Sequence, residues 1–165
     1  MKPPLPSEIR QLQAQDLPLM HGLLAAFGEA FDDPETYTAR PPDAAYLRRL
    51  LAGDSFIALA ALQDAEVLGG LAAYELHKFE QQRSEIYLYD LAVRAAYRRR
   101  GLATALIRRL QQVAAARGAW VVFVQADTGV EDRPAIALYD KLGRREEVLH
   151  FDIAVEAAAP RGGAA

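Results

Sequence analysis

The sequence contains no cysteine among its 165 residues. This absence excludes a disulfide framework, a thiolate zinc site and a cysteine nucleophile. No apolar run approaches the roughly 20 residues that a membrane-spanning helix needs, so we expect no membrane association. The first residues also lack the apolar segment of a secretory signal, and we therefore expect a cytoplasmic protein.

The chain also lacks an excess of basic charge, because 22 acidic residues outnumber 19 lysines and arginines and give a net charge of −3. Nucleic-acid-binding domains usually carry a strongly basic face, so we expect no nucleic-acid partner. The three histidines are scattered without the spacing of a metal site, and we expect no metal. The hydrophobic fraction of 52% fits one globular domain. We place that domain at 8–155, between flexible ends at 1–7 and 156–165.

Helix and strand patterns alternate along this domain. Helices are predicted from Asp16 to about Phe31, from Asp43 to Gly53, from Gly101 to Arg117 and from Pro134 to Leu142. Strands are predicted at Phe56–Leu62, Val67–Phe79 (with a bulge or bend at Gly69-Gly70), Ser84–Val93, Trp120–Gln125 and Val148–Val155. The early strands are close enough for antiparallel pairing, and the later strand–helix–strand unit favours a parallel pair. We therefore predict an α/β fold with a mixed sheet and helices packed over it.

One segment combines an apolar strand, a short arginine-rich loop, a glycine and the start of a helix. Arg98, Arg99 and Arg100 follow the strand that ends at Val93, and Gly101 precedes the helix. The first N–H groups of a helix lack intrahelical partners and carry positive partial charge, so this pattern is suited to binding a pyrophosphate. It lacks the spacing of a dinucleotide fingerprint and the Gly-Lys-Ser/Thr of a P-loop. The alternative is a solvated arginine cluster before an ordinary helix.

Leu91-Ala92-Val93 followed by Arg98-x-x-Gly101-x-Ala103 resembles the acetyl-CoA motif of the GCN5-related N-acetyltransferases (GNAT). Longer strings resemble the type I aminoglycoside 3-N-acetyltransferases within that superfamily. They are Phe56–Ala61, Lys78–Gln81, Arg83–Val93, Val124–Asp127, Ala137–Gly143 and His150–Ile153. The chain departs from the family at both termini and in a slightly longer loop from Asp127 to Pro134. The resemblance implies a GNAT fold, with antiparallel strands first, then a splayed parallel pair, and helices on both faces.

The resemblance also implies acetyl-CoA as the cosubstrate, bound where the two parallel strands diverge. The residues expected to bind it are Leu91, Ala92, Val93, Arg98, Arg99, Arg100, Gly101, Leu102, Ala103 and Thr104. Pantetheine would pair with the backbone of 91–93 like an added strand, and an N–H group there would polarise the thioester carbonyl. Relatives often pair as dimers, so a homodimer is expected.

An aminoglycoside is a polycation, and its site must therefore be acidic. The candidate carboxylates are Glu80, Glu85, Asp90, Asp127 and Asp152. Asp90 interrupts an apolar strand next to the expected thioester site, so we predict that it binds the acceptor ammonium and receives its proton. The alternative is a bulge residue that bonds local backbone, and each other carboxylate could simply lie on the surface.

Tyr139 matches the tyrosine of the family's last helix and is predicted as the general acid for the leaving thiolate. From the sequence pattern alone it could equally be a core tyrosine between Leu138 and Leu142. The leading hypothesis is an acetyl-CoA-dependent transfer to the 3-amino group of gentamicin-type aminoglycosides, in a ternary complex and with antibiotic resistance as its outcome. Two alternatives stay open: acetylation of another small polyamine or a protein N-terminus, and a non-catalytic acyl-CoA-binding domain.

Overall fold

The structure is a computed structural model that describes residue 6 and residues 8–155. Apart from Pro6, the ends predicted to be flexible lie outside the described residues. The described chain divides into two compact units, one ending at Asp127 and the other starting at Thr128, and each is described by itself. The single domain over 8–155 stays a prediction.

A five-stranded sheet forms the centre of the first unit. Its strands are β1 (Glu8–Gln11), β2 (Phe56–Gln63), β3 (Glu66–His77), β4 (Ser84–Val93) and β5 (Ala119–Val124). They lie side by side in chain order. The pairs from β1 to β4 are antiparallel, and β4 pairs with β5 in parallel. This arrangement confirms the predicted mixed sheet.

Helices cover both faces of this sheet. They are α1 (Leu17–Ala30), α2 (Ala44–Ala52) and α3 (Leu102–Arg117), with a π-helical turn at Glu35–Ala39 and a 3-10 turn at Ala95–Tyr97. Buried side chains of α1 and α2, such as Phe27 and Leu47, pack with alternate strand residues that include Ala72 and Ala92. The opposite strand residues face α3, which packs across β2 to β5. No helix of the described chain is both long and apolar enough to cross a membrane.

The helix ends follow local chemistry at most positions. The Asp43 carboxylate accepts a hydrogen bond from the Tyr46 N–H at 2.8 Å and caps α2, as predicted. Gly118 ends α3 at a φ of 77°, a conformation that favours glycine. Asp16 precedes α1, but its carboxylate accepts from the Gln13 N–H at 2.8 Å and does not cap the helix. Pro18, in the first turn, begins this helix without a side-chain cap.

The strands differ from the prediction in three respects. The bulge in β3 falls at Leu68, since Ala61 pairs with Gly69 and Leu62 pairs with Val67. β1 was not predicted, because four residues with a single apolar side chain carry little strand signal; pairing with β2 supplies its stability. The predicted strand at Val148–Val155 is wrong.

The second unit contains a 3-10 turn (Val130–Asp132) and α4 (Arg133–Leu142). After α4, residues 144–155 contain no strand. Their apolar side chains are exposed, with Phe151 76% and Ile153 88% accessible. Alternating hydrophobicity predicts an extended backbone, but a strand also needs a hydrogen-bonded partner, and residues 144–155 have none among the described strands.

Gly70 allows β2 and α1 to approach β3 closely. A Cβ atom built on Gly70 would lie 2.3 Å from the Leu59 carbonyl oxygen and 2.5 Å from Leu23 Cδ1. We therefore expect Gly70→Ala to lower the free energy of unfolding by about 2 kcal/mol, measured by urea denaturation. Gly28→Ala is the matched control, because its Cβ would make only ordinary contacts at 3.4 Å within buried α1. Equal stability of the two variants would contradict this account of the packing.

Candidate active site

A bulge in β4 places Asp90 on the face covered by α1. Asp90 pairs with Ala72 and Leu88 pairs with Ala73, so Tyr89 is an extra residue without a partner on β3. Side chains alternate between the faces of a strand, and one extra residue reverses that alternation. Leu88 is buried on the α3 face, whereas Asp90 shares the α1 face with Ala72 and Ala92. The bulge therefore brings both Tyr89 and Asp90 to the α1 side.

Directly beyond Leu88, β4 and β5 stop pairing. The last pair of their ladder is Leu88 with Val124, where β5 ends. β4 continues to Val93 and stays paired with β3. Within the described residues, no strand lies against this end of β4 on its β5 side. The main-chain groups of 91–93 that point away from β3, apart from the Val93 carbonyl that Arg98 Nε bonds, are therefore available to a ligand that adds as a strand.

Side chains of β4 and β5 contact each other just before the two strands diverge. The rings of Tyr87 and Phe123 stack with centroids 4.8 Å apart and planes inclined by 4°. The Tyr87 hydroxyl donates a hydrogen bond to Gln125 Oε1 at 2.7 Å. These contacts fix the point at which the parallel pair opens.

The N-terminus of α3 follows this opening and is free of a side-chain cap in the described structure. Gly101 has a φ of 82°, and no atom of the described residues lies within 4 Å of the position a Cβ would take. The first N–H bonded within the helix is that of Ala105, which donates to the Gly101 carbonyl at 2.9 Å. The N–H groups of 102–104 precede it and are the donors an anion would need.

The three arginines before Gly101 differ in their surroundings. Arg98 Nε donates to the Val93 carbonyl at 2.9 Å and holds the turn after β4. Arg99 has a φ of 60°, a conformation that is uncommon for a residue with a side chain. Arg100 Nη1 is buried, and no hydrogen-bond partner lies in the described part of the chain. The turn thus combines a strained backbone with an unsatisfied cationic donor.

A groove of about 480 Å³ continues from this turn along α3. Gly101, Thr104 and Arg108 line it at helical spacing, and Ile9 of β1 lines the other side. Arg108 is not among the residues predicted from the sequence, although its position seven residues after Gly101 places both on one helix face. The groove therefore extends the positive surface of the turn.

Asp90 is bonded to a residue that the sequence analysis did not single out. The Tyr37 hydroxyl donates a hydrogen bond to Asp90 Oδ2 at 3.1 Å. Tyr37 belongs to the π-helical turn, and its ring packs against Phe27 (centroids 5.7 Å apart) and Phe31 (5.6 Å). The segment between α1 and α2 thus supplies the partner of a carboxylate on β4.

Burial governs the ionisation of this pair. Removal from water raises the pKa of Asp90 above its usual value, and the hydrogen bond from Tyr37 acts in the opposite direction. Burial and the nearby Asp90 charge also raise the pKa of Tyr37, which keeps its phenol protonated as the donor. A carboxyl with a raised pKa is suited to receive a proton near neutral pH.

Two of the other predicted carboxylates pair with a lysine at the far end of β4 from Asp90. Glu80 and Glu85 flank Lys78, with oxygens 3.2 Å and 3.4 Å from its Nζ. Glu85 lies five residues before Asp90 on β4, which is about 16 Å along a strand. Lys78 neutralises much of the charge that these two glutamates would offer a polycation.

Three further predicted residues lie at or after the division between the units. Asp127 is exposed in the loop that follows β5. Tyr139 lies partly buried on α4 in the second unit. Asp152 is exposed in the same unit, and its Oδ1 lies 3.0 Å from His150 Nε2. Their proposed roles stay predictions.

Comparison with known proteins identifies the family that shares these features. The family model described as "Acetyltransferase (GNAT) family" matches residues 19–143. No curated protein sequence matches the chain.

Solved structures match over nearly the whole chain. An aminoglycoside acetyltransferase, HMB0005, from an uncultured soil metagenomic sample is 66% identical, with a TM-score of 0.89 over 90% of this chain and 98% of that one. A second, meta-AAC0020, also from an uncultured soil metagenomic sample and in complex with sisomicin, is 30% identical, with a TM-score of 0.82 over 90% and 96%. A ribosomal-protein-alanine N-acetyltransferase from Brucella melitensis biovar Abortus 2308 is 25% identical, with a TM-score of 0.70 over 90% and 99%.

The raised pKa of Asp90 predicts a cost in stability at neutral pH. Because folding disfavours the ionised carboxylate, the wild-type protein loses stability as the pH rises from the unfolded-state pKa through the folded-state pKa. Asn at this position cannot ionise and can still accept the Tyr37 hydrogen bond. We expect Asp90→Asn to be more stable than the wild type at pH 7 and similar to it at pH 3, measured by urea denaturation. A variant that is less stable at both pH values would contradict the burial argument.

Proposed function

Because the chain belongs to the GNAT family of acetyltransferases, whose members use acetyl-CoA, we propose that it acetylates the 3-amino group of gentamicin-type aminoglycosides. The observation that carries this proposal is the position of Asp90. A partly buried carboxylate lies on β4 immediately before the segment whose main chain is open to a donor. The 66% identity to an aminoglycoside acetyltransferase supports the choice of acceptor.

The residues around Gly101 are suited to hold the donor. The open space at Gly101 lets a bulky phosphate approach the backbone. Arg100 Nη1 is a buried hydrogen-bond donor that has no partner in the described chain. The N–H groups of 102–104 would bind the pyrophosphate, and the free edge of 91–93 would pair with pantetheine. When bound, acetyl-CoA supplies an acetyl thioester, and an N–H near Leu91 or Ala92 would polarise its carbonyl oxygen.

Asp90 would act on the acceptor. An aminoglycoside amine is protonated at neutral pH and cannot attack until it loses a proton. The Asp90 carboxylate would bind this ammonium and take its proton, directly or through one water. The amine nitrogen then bonds to the acetyl carbon while the carbon–sulfur bond breaks, and the nitrogen releases its second proton to solvent as the amide forms. Tyr139 is proposed to protonate the departing thiolate, as the family resemblance implies.

Three finer points belong to the same proposal. Transfer to the 3-amino group rests on the resemblance to type I aminoglycoside 3-N-acetyltransferases, and two-dimensional NMR of the product tests it. A homodimer and a role in antibiotic resistance rest on the same resemblance. Light scattering tests the first, and the drug sensitivity of bacteria expressing the chain tests the second.

A second candidate function is acetylation of a protein N-terminus. The 25% identity to a ribosomal-protein-alanine N-acetyltransferase favours it, and the pairing of Glu80 and Glu85 with Lys78 reduces the acidity available to a polycation. A peptide acceptor needs backbone hydrogen bonds rather than several carboxylates. The choice of acceptor therefore separates the two candidates.

The donor proposal predicts that Gly101→Asp weakens acetyl-CoA binding by roughly tenfold or more, because an added carboxylate repels the pyrophosphate and fills its space. Isothermal titration calorimetry measures this loss. Gly118→Asp is the control: Gly118 has nearly the same φ and equally open space, but it lies at the opposite end of α3. If both variants bind acetyl-CoA like the wild type, the donor site lies elsewhere.

The acceptor proposal predicts thiol release when the protein is mixed with acetyl-CoA and gentamicin or sisomicin. Spermidine and an alanine-initiated ribosomal peptide should give little. Asp90→Asn should lower kcat/KM for the aminoglycoside about a hundredfold, because the general base is lost. Asp64→Asn, in the exposed β2–β3 turn, is the matched control. Tight acetyl-CoA binding with no transfer to any amine would instead indicate a non-catalytic binding domain.

A further inference from the structure

The α1–α2 segment is built so that one phenol reaches the bulge in β4. After α1, Asp32 has a φ of 53°, and the Asp33 N–H donates to the Gly28 carbonyl at 3.0 Å. The Asp33 carboxylate accepts from the Thr36 N–H at 3.1 Å and supports the π-helical turn. This turn carries Tyr37, and its position is therefore set by local backbone contacts.

Tyr37 is also held by packing. Its ring contacts the rings of Phe27, which is 2% exposed, and Phe31, and these two rings also stack on each other. A phenol restrained in this way loses little further side-chain entropy when it donates a hydrogen bond.

The hydrogen bond from Tyr37 to Asp90 joins segments that are 53 residues apart in the chain. Asp90 Oδ2 accepts the hydrogen bond from Tyr37, so Oδ1 can accept a hydrogen bond or a proton from a second partner. The titratable groups that face Asp90 from the packed elements are the phenols of Tyr37, Tyr74, Tyr87 and Tyr89, with Asp33 near Tyr37. Among the described residues, the hydrogen bond donated by Tyr37 is the contact that favours the ionised carboxylate.

We propose that Tyr37 is a positioning residue that fixes the Asp90 carboxylate through Oδ2 and leaves Oδ1 to receive the proton of the acceptor amine. This inference rests on the proposed function of Asp90. Tyr37 does not touch the reacting atoms and acts through Asp90. It also favours the ionised carboxylate, which is the form able to accept a proton. The segment between α1 and α2 is thereby part of the catalytic apparatus.

Tyr37→Phe keeps the ring packing and removes only the hydroxyl. We expect kcat/KM for the aminoglycoside to fall about tenfold, with acetyl-CoA affinity unchanged. The acid limb of the pH profile should move to higher pH, because the carboxylate loses the contact that lowers its pKa. Tyr46→Phe is the matched control, since Tyr46 is a half-exposed tyrosine on α2 that does not bond Asp90 in the described structure. An unmoved acid limb in Tyr37→Phe overturns the proposal.

Two further measurements separate positioning from a merely structural role. In a double-mutant cycle, Tyr37→Phe should lower activity no further in the Asp90→Asn background. An equal loss in both backgrounds would show that Tyr37 acts independently of Asp90, and it would overturn the proposal.

A carboxyl 13C NMR titration of the free protein does not depend on turnover. It should show a higher pKa for Asp90 in Tyr37→Phe than in the wild type, with no change in Tyr46→Phe. If the pKa moves as expected but no aminoglycoside is acetylated, the proposed function fails while the Tyr37–Asp90 contact stands. An unchanged pKa overturns the inference itself.

Discussion

A single unpaired residue in β4 determines which face of the sheet carries the Asp90 carboxylate. Tyr89 has no partner on β3, and the reversal of side-chain direction after it moves Asp90 from the face packed against α3 to the face packed against α1. Had alternation continued, a carboxylate would lie among the buried leucines on the α3 side, where it would need a partner. The bulge instead brings it to Tyr37. It also coincides with the end of the β4–β5 ladder, so an acidic side chain and an open backbone edge lie within three residues.

The parts of the structure that depend on local chemistry could be predicted from the sequence. Gly101 and Gly118 mark both ends of α3, and Asp43 caps α2, because each effect acts within a few residues. The change from antiparallel to parallel pairing also follows from the order of the segments. The Gly101 turn can therefore be predicted from the sequence alone.

The features that the sequence alone does not predict depend on contacts between segments that are distant in the chain. Nothing local distinguishes Tyr37 from other tyrosines, since its partner on β4 is 53 residues away. The register of β3 and β4 alone locates the bulge at Tyr89. The segment at 148–155 shows the reverse case, in which the sequence has the alternating hydrophobicity of a strand but the described residues include no strand paired with it.

In the proposed function, the two halves of the candidate site would bind their ligands by different means, and this has a consequence for how such a protein can change through mutation. At the start of α3 the proposed hydrogen-bond donors are the peptide N–H groups of 102–104, which every residue except proline possesses, so most side-chain substitutions at these three positions would leave the donors in place. On the other half, the proposed contact with the acceptor is made by the Asp90 side chain, which Tyr37 positions from an irregular connection where single substitutions alter shape and charge at modest cost to the fold. Descendants of this sequence can thus diversify in the amines they accept while retaining one donor.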